Sequence, residues 1–262
     1  TWVELAKMSK EVQAKHPDMA GFVFQGAPSE SGTVDALEFL YGNGTQILSE
    51  DGKTSLISKG DAAEQTFTFL QSLIKTGVSP KVVTTFTEEE TRAAFQNGGA
   101  VFMRNWPYAE SLMQSDKSSK VKGKIGLTTL PSFEGHPPVS VLGGQNFGVS
   151  NTSDTPDLAW QAMSCLASAK MQTIKAIAKG ELPGIQALYD SPELTSKISY
   201  LSHSKKAISE GHNRPTTPYY GDVTSSIYQS YNDLLAMRLS PREAVKKMNR
   251  MVQAAIDGKA EI

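Results

Sequence analysis

Two aromatic rings stand close together in the run Gly98-Gly99-Ala100-Val101-Phe102-Met103-Arg104-Asn105-Trp106-Pro107-Tyr108-Ala109. The apolar stretch Ala100 to Met103 reads as a short buried strand that runs straight into a helix start. Asn105 would be the N-cap and Pro107 would fall in the first turn, where a missing N–H costs little. Such a junction presents Trp106 and Tyr108 beside backbone N–H groups that lack helical partners. Flat rings next to hydrogen-bonding groups suit a sugar, which offers an apolar C–H face and a rim of hydroxyls. The same rings also suit a hydrophobic core, and nothing within the stretch separates the two readings.

The other chemistry-bearing residues are sparser. Glu88-Glu89-Glu90 resembles a carboxylate cluster, but it follows Thr87 in a capping box, and acids there serve the cap and the helix dipole. The histidines His16, His136, His203 and His212 form no H-E-x-x-H pair, and one cysteine makes no zinc framework, so no metal site is expected. Gly143-Gly144 lies in no G-x-G-x-x-G and precedes no Lys-Ser/Thr, so it is not a phosphate loop. Two glycines breaking a strand mean either a bulge or a place where something approaches the backbone closely. No G-x-S-x-G occurs. Arg214, beside Pro215, reads on its own as a solvated loop arginine. No constellation argues for catalysis, and no cofactor is implied.

Composition sets the outer bounds. The chain has 262 residues, 39% hydrophobic and 20% charged, with a formal net charge of −1. That is ordinary for a globular protein of one or two domains, and it carries no electrostatic footprint for nucleic acid. No apolar run is long enough to cross a membrane as a helix. Cys165 sits among Trp160, Met163 and Leu166 at helical spacing and reads as a buried structural thiol. The chain opens at Thr1 rather than at methionine, which reads as a processed product or a piece of something longer.

The elements that would position the rings follow from periodicity and punctuation. Thr1 with Glu4, Thr87 with Glu90 and Ser240 with Glu243 are capping boxes. Helices are predicted after Thr1, over Thr33 to Tyr41, after Asp61, from Thr87 to Gly98, and from the Trp106 junction to about Gln114. Further helices are predicted from Pro156, up to Gly180, and over Ile185–Tyr189, Pro192–Glu210, Asp222–Met237 and Pro241–Ile256. Strands are predicted over Gly21–Gln25, Ala100–Met103, Gly126–Leu130 and on both sides of the Gly143-Gly144 break, with a small hairpin between Thr45 and Lys59. Short strands among many helices predict an α/β architecture.

In this order the pieces resemble the carbohydrate-binding proteins of bacterial ABC importers, extracellular solute-binding family 1 and its maltose- and trehalose/maltose-binding group. The resemblance runs along essentially the whole chain. It rests on Thr1-Trp2-Val3-Glu4-Leu5, Phe24-Gln25-Gly26, Phe95-Gln96-Asn97-Gly98-Gly99-Ala100-Val101-Phe102-Met103, Asn105-Trp106-Pro107-Tyr108 and Val141-Leu142-Gly143-Gly144. Later come Leu182-Pro183 and Arg214-Pro215-Thr216-Thr217-Pro218-Tyr219-Tyr220. The resemblance implies a periplasmic-binding-protein-like type II fold: two α/β lobes joined by a hinge, with sugar in the cleft between them and closure read by a membrane permease. It assigns residues 1–126 to the second lobe, 127–179 to a returning part of the first lobe, and 180–262 to the second lobe again. A missing N-terminal segment would complete the first lobe.

Carried over by the resemblance, Trp106 and Tyr108 match the aromatic platform of the second lobe. Gly144 matches a glycine whose backbone meets the sugar, and Arg214 matches an arginine that reaches its hydroxyls. Glu30 falls where many relatives carry a Tyr-Glu pair, although the Tyr position is Ser29 here. Gln145 replaces the Trp usual in trehalose/maltose binders, exchanging a stacking surface for an amide. The implied function is a non-enzymatic solute-binding component for a disaccharide or small α-glucoside such as trehalose or maltose. Its partners would be the sugar and the ABC permease subunits, with no nucleic acid. It would be periplasmic or at the cell surface, lipid-anchored through the absent N-terminus. The rival readings are a glycoside hydrolase, which needs a carboxylate pair that the sequence does not offer, and a sugar-sensing module on the same fold.

Overall fold

The computed structural model describes residues 1–259. The last three positions of the segment 180–262 lie outside the described residues. In chain order the elements are α1 (Trp2–Gln13), β1 (Ala20–Val23), α2 (Glu30–Gly42), α3 (Ala62–Lys75), α4 (Glu88–Gln96), β2 (Ala100–Met103), α5 (Tyr108–Ser115), α6 (Pro156–Leu166), α7 (Ala169–Lys179), α8 (Pro192–Thr195), α9 (Leu201–Ser209), α10 (Tyr220–Leu235) and α11 (Pro241–Ile256). Short 3-10 turns occupy Lys81–Thr85 and Gln186–Asp190. All three capping boxes form, with the N-cap backbone N–H donating to Glu90 at 2.9 Å and to Glu243 at 2.8 Å in the second and third.

The chain divides into two compact units. The first holds Thr1–Asn105, Leu130–Val141 and the chain from Gly211 on; the second holds Trp106–Thr129 and Leu142–Glu210.

In the first unit β1 and β2 pair in parallel, with Ala20 opposite Ala100 and Phe22 opposite Phe102. A parallel pair needs a crossover connection, and α2, α3 and α4 supply it. α2 is buried almost all round, and Val34, Ala36, Leu37, Phe39 and Leu40 are all fully buried. Trp2, Phe22, Phe24 and Phe39 form an aromatic cluster with ring centroids 4.4–6.2 Å apart. α11 buries Ala244, Val245, Met248, Val252 and Ala255, a single stripe at helical spacing.

The second unit has a smaller core of Ala176, Tyr189, Leu194, Ile198, Tyr200 and Leu201. Its pivot is Gly180, at φ +70°, which ends α7. The Tyr200 hydroxyl donates to the Gly180 carbonyl at 3.0 Å, and a Cβ at residue 180 would stand 2.5 Å from Ser111 Oγ. Both the dihedral and the crowding therefore call for glycine. α6 buries nothing within the described residues: Leu158, Trp160 and Leu166 are exposed, as are Phe147, Ile174 and Ile177 nearby.

Several predicted elements differ. Cys165 is exposed on α6, because its apolar neighbours have no core against which to pack. Gly126–Leu130 and the two flanks of Gly143-Gly144 are not strands. Extended backbone becomes a ladder only where a partner accepts its hydrogen bonds, and here only Val141 finds one, in an isolated parallel bridge to His212. The hairpin between Thr45 and Lys59 reduces to one antiparallel bridge, Leu48 with Ser55. α2 starts at Glu30, three residues before Thr33, so Glu30 lies in a helical first turn. Pro192–Glu210 breaks into α8 and α9, because Ile198 and Tyr200 turn into the small core between them.

Candidate functional site

The junction after β2 is built differently from the reading of its sequence. α5 begins at Tyr108 with Pro107 as N-cap, so Asn105 is not the cap. Its side-chain amide instead donates to the Glu88 carbonyl at 2.9 Å. Two of the first backbone N–H groups are also engaged: Ala109 donates to the Trp106 carbonyl at 3.1 Å and Glu110 to that of Pro107 at 3.2 Å. Trp106 and Tyr108 are each half-buried, so neither ring belongs to the fully buried core. Gly144 and Gln145 lie on an exposed irregular segment, and a Cβ at Gly144 would meet nothing within 4 Å. No close approach by the described residues requires glycine there.

Glu30 and Arg214 are brought together from positions 184 residues apart. Glu30 comes from the first turn of α2 and Arg214 from the loop before α10. Arg214 Nη1 donates to Glu30 Oε1 at 2.6 Å. The Tyr220 hydroxyl, from the start of α10, donates to the same oxygen. One turn further along that helix, Thr224 Oγ1 donates to Glu30 Oε2 at 2.5 Å. Behind it Thr33, fully buried, bonds to Thr224 Oγ1 at 2.7 Å and to the Thr224 carbonyl at 3.0 Å. Burial, and then the Glu30 carboxylate, push the Tyr220 phenol above its ordinary pKa, so it stays a proton donor. Arg214 is therefore no solvated loop residue: its Nη1 is in an ion pair and its Nε is buried without a hydrogen-bond partner among the described residues.

A second charged cluster in the same unit escaped the sequence reading. Arg104, at the end of β2, lies with Nε 2.8 Å from Glu38 Oε2 and 3.0 Å from Asp35 Oδ1. Its Nη2 donates to Glu38 Oε1 and its Nη1 to Gln25 Oε1, each at 2.8 Å. Gln25 returns a bond from its amide to the Arg104 carbonyl at 3.0 Å, and its backbone N–H donates to Asp35 Oδ2 at 2.7 Å. Desolvation pushes the Asp35 carboxyl well above the usual carboxylate range. Arg104 opposes the shift and Glu38 adds to it. The sequence carries a partial signal: Asp35 and Glu38 interrupt the apolar run from Thr33 to Tyr41, and Arg104 follows an apolar strand, but nothing in the spacing pairs them.

The acidic run at 88–90 is structural on this geometry. Glu90 closes the capping box, Glu89 bonds to Arg92 Nε at 3.0 Å, and Glu88 accepts from Ser31 Oγ at 2.6 Å. Among the described residues no group of three His, Cys, Asp or Glu is placed to hold a metal ion.

The family model for bacterial extracellular solute-binding proteins matches residues 1–173. A probable ABC transporter-binding protein of Deinococcus radiodurans is 32% identical over 257 residues, covering 95% of this chain and 60% of that protein. Among solved structures, T. maritima MalE3 with maltose bound matches at TM-score 0.90 and 33% identity, over 97% of this chain and 64% of that one. The GacH receptor of Streptomyces glaucescens, solved unliganded and with acarbose, matches at TM-score 0.86 over 98% of this chain and 64% of that one. Its 20% identity speaks to the fold alone. The chain thus spans a little under two thirds of the length of these proteins.

Proposed function

The chain belongs to the bacterial extracellular solute-binding proteins and carries part of their two-lobed α/β fold, and from that premise we propose that it is part of the sugar-binding component of an ABC importer. The observation that carries the reading is the 33% identity, at TM-score 0.90, to a protein solved with maltose bound. The ligand class is a disaccharide or small α-glucoside of the maltose or trehalose kind. The protein binds and delivers the sugar without turning it over, and the reading needs no cofactor. Its partners are the sugar and the membrane subunits of the permease, and it works outside the cytoplasmic membrane, held by a lipid anchor.

Within this reading each site residue has a role. Glu30 and Arg214 exchange hydrogen bonds with sugar hydroxyls. Trp106 and Tyr108 offer ring faces to the apolar face of a sugar. Gly144 leaves its backbone open to a hydroxyl, and Gln145 offers an amide where a ring would otherwise stack. The division into second lobe (1–126), returning first lobe (127–179) and second lobe (180–262) belongs to the same proposal, as does a further N-terminal portion that covers the returning segment. The exposed Leu158, Trp160, Leu166, Ile174 and Ile177 support that last point, since so much exposed apolar surface favours a partner surface.

Calorimetric titration of the full-length protein with maltose, trehalose and maltotriose tests the reading. The expected result is saturable binding of at least one of these sugars, with the sugar recovered unchanged. A folded sample that binds none of them overturns the sugar assignment, and release of glucose replaces the binding protein with a hydrolase.

A further inference from the structure

From the hydrogen-bond geometry around Glu30 we infer that Tyr220 and Thr224 are positioning residues, which hold the Glu30 carboxylate so that one acceptor position on Oε2 is left for a donating hydroxyl of the sugar. The inference rests on the reading of Glu30 as a sugar contact and goes further by naming the residues that aim it and the hydrogen-bonding sense it imposes on the ligand.

Counting protons fixes the directions. An ionised carboxylate offers about four acceptor positions, two on each oxygen. On Oε1 both are filled, by Arg214 Nη1 and by the Tyr220 hydroxyl. On Oε2 one is filled, by Thr224 Oγ1. A hydroxyl has one proton, so Thr224 gives its proton to Glu30, and Thr33 Oγ1, 2.7 Å away, shares its single proton between Thr224 Oγ1 and the Thr224 carbonyl. The directed step is therefore from Thr224 to Glu30, with the buried Thr33 hydroxyl packed behind it. The fourth position, on Oε2, can be filled only by a donor. Glu30 is part-exposed, so that position is reachable.

The arrangement exceeds what stability would ask. A part-exposed ion pair contributes little to folding and loses side-chain entropy by being held in one geometry. Here two segments distant from Glu30 in sequence, the Arg214 loop and α10, converge on one carboxylate with three donors, and a buried hydroxyl backs one of them. Charge-assisted hydrogen bonds of this kind fix orientation as well as adding energy. A fixed acceptor distinguishes a hydroxyl from a hydrogen, fluorine or ether oxygen at one place on the ligand.

The test is a set of titrations on the full-length protein with maltose and a series of monodeoxymaltoses. The variants are Glu30→Gln, Tyr220→Phe, Thr224→Val and the conservative Thr224→Ser, with melting temperature followed in parallel. Tyr220→Phe and Thr224→Val are each expected to weaken maltose binding by about threefold to twentyfold, with Thr224→Ser close to wild type. For the one deoxymaltose that lacks the hydroxyl facing Glu30, the same substitutions should cost almost nothing. Equal losses across all analogues would mean that both residues act on the fold alone, and would overturn the inference. If Glu30→Gln binds maltose like wild type, the reading of Glu30 itself fails. If Glu30→Gln weakens binding while Tyr220→Phe and Thr224→Val do not, Glu30 stands and the positioning role falls.

Discussion

The first unit contains two acid–arginine clusters, and they differ chiefly in access to water. Around Arg104 the side chains are 4% exposed or less, and the described partners close on one another: Asp35, Glu38, Gln25 and the Arg104 carbonyl. Around Arg214 the arginine side chain is 25% exposed and Glu30 42%. The buried cluster bears the full cost of desolvation and must satisfy itself; it joins β2, α2 and the segment after β1, and acts as scaffold. The half-exposed cluster bears less of that cost and keeps an acceptor position open. The same residue types are thus a structural tie in one place and a candidate ligand contact in the other, and burial decides which.

The sharpest way to break this contrast is to remove each arginine in turn. Arg104→Met leaves two buried carboxyl groups without their cation and is expected to cost about 3–5 kcal/mol, a fall in melting temperature on the order of 10 °C. Arg214→Met is expected to cost no more than about 1 kcal/mol in stability, while weakening sugar binding. Urea and thermal unfolding of the two variants check this, and comparable losses of stability would erase the distinction.

A ring in the second unit extends the comparison. Trp106→Ala is expected to lower sugar affinity about tenfold to a hundredfold, equivalent to about 1–3 kcal/mol, with little change in melting temperature. A large drop in melting temperature at unchanged affinity would place Trp106 with the core instead.

The buried cluster should also declare itself through pH. Burial pushes the Asp35 carboxyl up against the opposing pull of Arg104, so Asp35 is expected to hold its proton in the folded state at pH values where the unfolded chain has lost it. The folded state then binds more protons, so its stability falls as pH rises from the ordinary carboxylate range through the raised folded value. Unfolding free energies measured from pH 5 to pH 9 are expected to decline in wild type and to lose this component in Asp35→Asn. An unchanged profile in the variant would move the effect to another group.

The smallest expected effect concerns Gln145. An amide in place of a ring should disfavour longer glucans, whose additional units depend on apolar platforms. Gln145→Trp is therefore expected to shift the ratio of maltotriose to trehalose affinity by a few-fold toward the longer sugar. Calorimetry on the full-length protein with both sugars checks this, and an unchanged ratio would remove Gln145 from selectivity.

Local chemistry was legible in the sequence wherever near neighbours decide the outcome. The three capping boxes and the Gly180 helix stop depend on residues a few positions apart, and all are present. The family was legible as well: the order of short motifs pointed to it, and the match of the family model over residues 1–173 agrees. What the sequence could not determine is anything that needs a partner far along the chain. A strand at Gly126–Leu130 requires a ladder neighbour, Cys165 requires a core against which to be buried, and Tyr220 and Thr224 reach Glu30 only because α10 packs on α2. Asp35 and Glu38 read as ordinary helix acids until Arg104 arrives from a strand 66 residues past Glu38. Propensity and spacing act over a few residues, whereas desolvation and hydrogen-bond saturation depend on what the fold brings within a few ångströms, and only tertiary structure decides those.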